Sequence, residues 1–254
     1  MNNQQAQAHI FKDDHIKGDP LLLHNVWDAG TARLVEQIGA RAIATGSLAV
    51  AAAHGYDDGE QLPFDLVVAN ARRIVSAVNV PVSIDIEGGY GQDTDTISAN
   101  IAQIIEAGAV GVNFEDQIIG KDELYPVNEQ CRRIAAVRQA ADTLSLPLFI
   151  NARTDIFLKL APERHEQRHV DEAIERAEAY AGAGADGFFV PGLRNPTTIE
   201  TLCRQISLPI NIMFLPDSMT LDQTRTLGVA RISYGPYLYQ QMAQMIQSEL
   251  AGML

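Results

Sequence analysis

A single (β/α)8 barrel of the TIM type is the fold this sequence predicts, on three observations. Two kinds of short apolar run alternate along the chain. The segments between them have helical periodicity. The length, 254 residues, is enough for eight strand–helix units and little else.

One kind of run opens on proline: "DPLLLHNVWD", "VPVSIDIE", "LPLFINARTD" and "LPINIMFLP". Pro20, Pro81, Pro147 and Pro209 stand where a strand begins and a missing N–H costs no ladder bond. The other kind follows a helix tail, a glycine and a small residue: "EQIGARAIATGS", "EAGAVGVNFED", "AGAGADGFFVPG" and "TLGVARISYGP". Gly39, Gly108, Gly184 and Gly228 fit a helix C-terminus that needs a left-handed residue. In chain order the strands follow Pro20, Gly39, Pro81, Gly108, Pro147, Gly184, Pro209 and Gly228. Between them, "TARLVEQIG", "TDTISANIAQIIEAG", "EQCRRIAAVRQAAD" and "VDEAIERAEAYAG" place apolar residues at helical spacing; Ile97, Ile101, Ile104 and Ile105 share one face. Strands alternating with helices pair in parallel through crossovers. An open doubly wound sheet is the alternative. No linker or charge block divides residues 1–254, so one domain is expected. The polar stretch 1–15 is expected to be disordered.

The composition is that of a globular protein, 46% hydrophobic and 20% charged. A net charge of −13 argues against nucleic-acid or anionic-membrane binding, but leaves room for a small anionic substrate in a locally positive site. The two cysteines, Cys131 and Cys203, form no disulfide framework. With no signal-peptide core and no apolar stretch of membrane-spanning length, a cytoplasmic location is expected.

Polar residues collect at the strand ends, where a barrel of this kind keeps its chemistry. The first strand ends in Asn25, Trp27 and Asp28, the third in Asp85 and Glu87. The fourth ends in Asn113, Glu115 and Asp116, the fifth in Asn151, Arg153 and Asp155. Alternation along a strand puts the odd-numbered members on one side, so Asp85/Glu87, Asn113/Glu115 and Asn151/Arg153/Asp155 can converge on the barrel axis. Buried carboxylates need a cation or donors to stay charged. Oxygen ligands with room for water suit Mg2+ or Mn2+, and a structural carboxylate–arginine network is the alternative. His165 and His169, in "PERHEQRHVDE", read as a solvated helix face and not as zinc ligands. Gly88, Gly89 and Gly91 let the chain turn away closely after the acidic pair.

The segments "NVWDAGTARLVEQIGARAIATGS", "GYDDGE", "VSIDIEGGYG", "GVNFEDQ" and "INARTD", with "GADGFFVPG" and "GVARISYGP", resemble the isocitrate lyase/phosphoenolpyruvate mutase superfamily. The resemblance implies a barrel whose Mg2+ holds a small 2-oxo or 2-hydroxy carboxylate while an enolate forms. By it, Asp85 faces the metal, and Asp58, Glu87 and Glu115 complete the acidic shell, largely through water. Thr45, Gly46, Ser47 and Leu48 match a turn that binds the substrate carboxylate, and Arg153 matches an arginine that pairs with substrate charge. Trp27 and Asn211 are assigned to the substrate as well, and Arg153, Asp58 and Lys121 to catalysis. Lys121 stands where relatives carry a gating-loop lysine, with a plain exposed lysine as the alternative.

The departures narrow the reaction. Lyases of the superfamily carry a Lys-(Lys/Arg)-Cys-Gly-His motif after the fourth strand, where this chain reads "DQIIGKDELYPVNEQ". Cys131 comes later, in a helical stretch, and reads as a packing or surface residue. A mutase histidine is replaced by Val190 and Pro191 in "FFVPGLRN". The expected activity is a Mg2+-dependent lyase or decarboxylase cleaving a bond beside a small 2-oxo or 2-hydroxy acid. Phosphonopyruvate hydrolysis or phosphoenolpyruvate–phosphonopyruvate interconversion is the first alternative, and a barrel that only binds a keto acid the second.

The last helix carries Leu238, Met242, Met245, Ile246 and Leu250 near one stripe. In the superfamily this helix docks on a neighbouring subunit. A swapped C-terminal helix and a homotetramer, or at least a dimer, are therefore expected.

Overall fold

The computed structural model describes residues 3–216 and 219–252. Its eight strands are β1 (Leu21–Leu23), β2 (Ile43–Ala44), β3 (Val82–Asp85), β4 (Gly111–Glu115), β5 (Phe149–Arg153), β6 (Gly187–Phe189), β7 (Ile210–Met213) and β8 (Arg231–Ser233). All are parallel and neighbour one another in the order β1-β8-β7-β6-β5-β4-β3-β2. A parallel bridge from Val26 to Thr45 joins the two ends into a nearly closed ring. This is the (β/α)8 architecture expected from the alternating runs.

The helices are α1 (Asn3–Asp13), α2 (Ala29–Gln37), α3 (Ser47–Ala53), α4 (Phe64–Ala77), α5 (Thr94–Glu106), α6 (Val127–Thr143), α7 (Gln167–Gly182), α8 (Pro196–Gln205), α9 (Leu221–Thr226) and α10 (Tyr237–Ala251). Helices α2, α5, α7 and α9 each end two residues before Gly39, Gly108, Gly184 and Gly228, whose φ values are 93°, 101°, 107° and 84°. Each glycine turns the chain back so that the next strand can start at once. Ile97, Ile101, Ile104 and Ile105 of α5 are all buried, at roughly 1.5–3 kcal/mol apiece. No helix among the described residues is long and apolar enough to cross a membrane.

The N-terminal expectation is overturned over residues 3–13, while residues 1 and 2 lie outside the described ones. Instead of disorder, residues 3–13 form α1, with Ala8 and Phe11 fully buried. Phe11 packs edge-on against Phe149 at the start of β5, with ring centroids 5.4 Å apart. A Cβ at Gly111 would lie 2.7 Å from the Phe11 ring, so glycine there is what admits the aromatic plug. The helix escapes a periodicity reading because only two of its eleven residues are buried. Gln4 fixes it further by donating to the carbonyls of Ile105 and Ala109.

Helix α10 buries none of its residues within the chain; Met245, Ile246 and Leu250 are exposed, while Leu238 and Met242 lean on the core.

Candidate active site

The barrel register sets one row of inward residues level with one another: Asp85 beside Asn113, Asn113 beside Asn151, and Asn151 beside Gly187. Asn151 Nδ2 donates to Asn113 Oδ1 at 2.9 Å, and Asn113 Nδ2 donates to Asp85 Oδ1 at 3.2 Å. This amide ladder orients the Asp85 carboxylate toward a cavity of about 220 Å3 at the C-terminal mouth. Asp85 Oδ2 also accepts the Ser47 N–H at 3.1 Å, and the Thr45 hydroxyl accepts the Asp85 N–H at 2.8 Å. The end of β2 and the end of β3 are thereby pinned together.

Thr45, Gly46, Ser47, Leu48, Asp58, Asp85 and Arg153 all line this cavity. Asp85 holds the Ser47 N–H, while Gly46 and Leu48 on either side of it also line the cavity. Asn25 supports the turn, donating to the Thr45 carbonyl and accepting the Gly235 N–H. The apolar wall is made by Leu158, Phe189, Pro191 and Met213.

Glu87 and Glu115 lie outside the lining. Strand pairing stops at Asp85, and Glu87 adopts a left-handed φ of 50°, so strand alternation does not carry it onto the Asp85 face. Its carboxylate instead accepts the Gly59 and Glu60 N–H groups at 2.9 and 2.8 Å, and the Tyr90 hydroxyl at 2.9 Å. Burial, then repulsion from Asp58 and Asp85, pushes its pKa up to about 7. Glu115 is held by Arg153 Nη1 at 2.8 Å. Burial raises its carboxyl well above the usual range even with that partner. Asp58 is raised too, by burial and by Asp85.

Arg153 is heavily engaged. Its Nε and Nη2 donate to the two Asp155 oxygens at 2.6 and 2.8 Å, while Nη1 faces Glu115. Burial works against its charge, but Glu115 and Asp155 overcome that and hold its pKa above the usual value. Two of the guanidinium's five N–H groups remain for a ligand.

Other expected residues sit elsewhere. Trp27 is buried against Tyr239, rings 5.2 Å apart and edge-on, and Asn70 donates to its carbonyl. Asn211 is outside the lining, level in register with Phe189 and Arg231, and donates to the Ser233 hydroxyl at 3.1 Å. Lys121 is exposed in the loop after β4, where Lys159 Nζ donates to its carbonyl. His165 and His169 are half-buried: His165 Nε2 lies 3.0 Å from the Phe157 carbonyl, and His169 Nδ1 accepts the Glu166 N–H as part of the α7 cap. Asp116 points outward and joins Arg176 and Tyr180 behind the barrel wall.

Sequence reasoning missed Arg231. It is 2% exposed, lines the cavity, and makes one polar contact among the described residues, Nε to Ser233 Oγ at 3.3 Å. Burial lowers its pKa to about 9. The signal was present: an arginine inside the apolar run "GVARIS", on the same side of the strand as Ser233.

Among the described residues no three His, Cys, Asp or Glu side chains form a cage that could hold a metal unaided. The donors present nevertheless suit a hard cation that keeps most of its waters. Asp85 and Asp58 open onto the cavity, and Asp58, Asp85, Glu87, Glu115 and Asp155 outnumber Arg153 and Arg231. A cation at Asp85 would relieve the repulsion that raises Asp58 and Glu87.

The family model for phosphoenolpyruvate phosphomutase matches residues 11–254. A solved structure from Burkholderia cenocepacia J2315, provisionally described as a phosphonomutase, is 46% identical with a TM-score of 0.96, covering 99% of this chain and 100% of that one. Uncharacterized protein Rv1998c of Mycobacterium tuberculosis H37Rv is 33% identical over 231 residues, 90% of this chain and 83% of that protein. The 2-methylisocitrate lyase of Escherichia coli K12 is 30% identical over 234 residues, 88% of this chain and 76% of that protein. The chain belongs to the phosphoenolpyruvate phosphomutase family, within the isocitrate lyase/phosphoenolpyruvate mutase superfamily of enzymes.

Proposed function

We propose that the protein is a Mg2+-dependent lyase that cleaves a bond beside the 2-position of a small 2-oxo or 2-hydroxy carboxylate. The observation that carries this reading is the charge balance of the cavity. Asp58 and Asp85 face the cavity with Glu87, Glu115 and Asp155 behind them, and Arg153 is already shared by Glu115 and Asp155, so an anionic acid is received best when a cation comes with it. In this reading Asp85 holds that cation, supported by its place in the lining, with Asp58 also in the lining and Glu87 behind. When bound, Mg2+ supplies Lewis-acid stabilisation of the charge that grows on the 2-oxygen.

The chain's own groups do the rest. The Gly46 and Leu48 amides orient the 1-carboxylate. The free edge of Arg153 donates to the developing enolate oxygen, an interaction strongest in the transition state. Leu158, Phe189 and Pro191 exclude water from the carbon that departs. Among the described residues no cysteine or histidine lines the cavity, which favours reactions that a cation and an arginine can support.

Phosphorus–carbon chemistry is the second reading, and the likeness to the provisional phosphonomutase is what favours it. The test is a screen of oxaloacetate, methylisocitrate, phosphonopyruvate and phosphoenolpyruvate with Mg2+, following pyruvate and phosphate. Carbon–carbon substrates should turn over and release no phosphate, and EDTA should abolish the activity. Phosphate release from phosphonopyruvate would select the second reading, and full activity after EDTA treatment would end the metal assignment. The uncovered face of α10 supports self-association in the same reading; light scattering should give at least twice the 27.7 kDa chain mass.

A further inference from the structure

Arg153 and Arg231 both line the cavity, but their surroundings are opposite. Arg153 has a carboxylate on each side. Arg231 forms no ion pair among the described residues; its Nη1 is buried with no hydrogen-bond partner, and its Nε has only a long contact to Ser233. That Nε contact reaches two residues up β8, which directs the guanidinium from the lower barrel toward the mouth. A charge 98% shielded from solvent and left unpaired is expensive, and chains keep such a group where a ligand completes it. The negative charge that acts on it is that of Asp85, the carboxylate the cation would neutralise.

We propose that Arg231 binds a second anionic group of the substrate, so that the site selects a short two-ended acid over its monocarboxylate counterpart. The inference rests on the Mg2+-dependent reading above. One anion sits at the Gly46–Leu48 turn beside the cation, and the other meets the Arg231 guanidinium. Met213 and Phe189 leave the space between to carbon. A guanidinium that stabilises the second group as an anion opposes its departure as CO2. The group held at Arg231 is therefore one that a product retains, which favours cleavage into two acids over decarboxylation at that end.

The test compares lactate and malate, 2-hydroxy acids that differ by one carboxylate arm, by calorimetric titration with Mg2+. Wild-type protein should bind malate at least about tenfold more tightly than lactate, the range of a hydrogen bond to a charged group. Arg231→Met should erase that preference and leave lactate binding unchanged. Arg231→Lys should restore part of it, and melting curves verify that both variants fold. A buried water on Nη1 in place of a ligand would leave the wild type without a preference, or let Arg231→Met keep one; either result overturns the inference. Lactate that binds only with Mg2+ and no better or worse than malate leaves the parent reading standing and sinks this one. Failure of both acids to bind with Mg2+ overturns the two together.

Discussion

Glu115 and Asp116 are consecutive at the end of β4, yet they belong to opposite kinds of cluster. On the outer side, Asp116 Oδ2 accepts from Arg176 Nη1 at 3.2 Å and the Tyr180 hydroxyl at 2.8 Å, while Oδ1 accepts the Asp155 N–H at 3.1 Å. Arg176 in turn donates to the Tyr125 carbonyl and to Glu172. Every member has its partners. On the inner side, Glu115 shares Arg153 with Asp155, Asp58 and Asp85 repel each other, and Arg231 forms no ion pair among the described residues, its Nη1 lacking a hydrogen-bond partner. Residue types are the same in both clusters. What separates them is whether the protein satisfies its own charges, and only the inner one asks for something from outside.

Asp85→Asn should break the inner cluster's function most severely. It removes the carboxylate on which the cation depends, so kcat/KM should fall by at least about a thousandfold. The melting temperature should hold or rise, because one charge leaves a repelling group. A variant that keeps more than about a tenth of wild-type activity would remove Asp85 from the site.

Arg176→Met should do the reverse. Deleting one partner of a buried pair costs about 3–5 kcal/mol, and the lower end is expected because Asp116 keeps Tyr180 and the Asp155 amide. Activity per folded molecule should be unchanged. Denaturant unfolding paired with kinetics checks both halves; intact stability or a large loss of turnover would erase the distinction between the clusters.

The barrel was legible because its punctuation is local. Pro20, Pro81 and Pro209 each precede a strand by one residue, Pro147 precedes β5 by two, and the four glycines take left-handed φ. Asp85 and Arg153 were legible because strand parity places them inward. Glu87 sits behind Asp85 and outside the lining because parity ends where pairing does, and the left-handed turn after Asp85 is a three-dimensional fact. Trp27 looked like a site residue at a strand end but is held in the core by Tyr239, more than 200 residues away in sequence. Helix α1 was invisible for a related reason: Phe11 finds its partners on β4 and β5, not on its own helix.

His15 extends the comparison to a buried base. Its Nδ1–H donates to the Phe11 carbonyl at 2.7 Å and the ring stacks on Phe149 at 3.9 Å, leaving Nε2 unpartnered. Burial, then the charge of Arg231, lowers its pKa to about 3 from 6.5. The folded state therefore refuses a proton that the unfolded chain accepts below pH 6.5, so this group's stabilisation is present above that pH and is lost as pH falls toward 3. Between pH 7 and pH 5 the loss from His15 should be about 2 kcal/mol. His15→Phe should remove that component, seen as a flatter dependence of unfolding free energy on pH. Parallel curves for variant and wild type would show that the ring is not held neutral.

Cys131→Ser should have the smallest effect of all. Cys131 lies half-buried in α6, and Cys203 is buried in α8 with its thiol pushed up to about 11 by its surroundings. Neither lines the cavity, and the loop between β4 and α6 contains no cysteine or histidine that could act as acid or base there. A thiol enters acid–base chemistry only when it is accessible and its pKa is brought toward neutrality. Burial moves Cys131 the other way. Turnover of the best substrate should thus stay close to wild type in Cys131→Ser, and thiol alkylation of the wild type should not inhibit it. Loss of activity in the folded variant would mean that α6 rearranges to bring Cys131 to the mouth, and the open cluster would then hold a proton donor that the barrel described above keeps away from it.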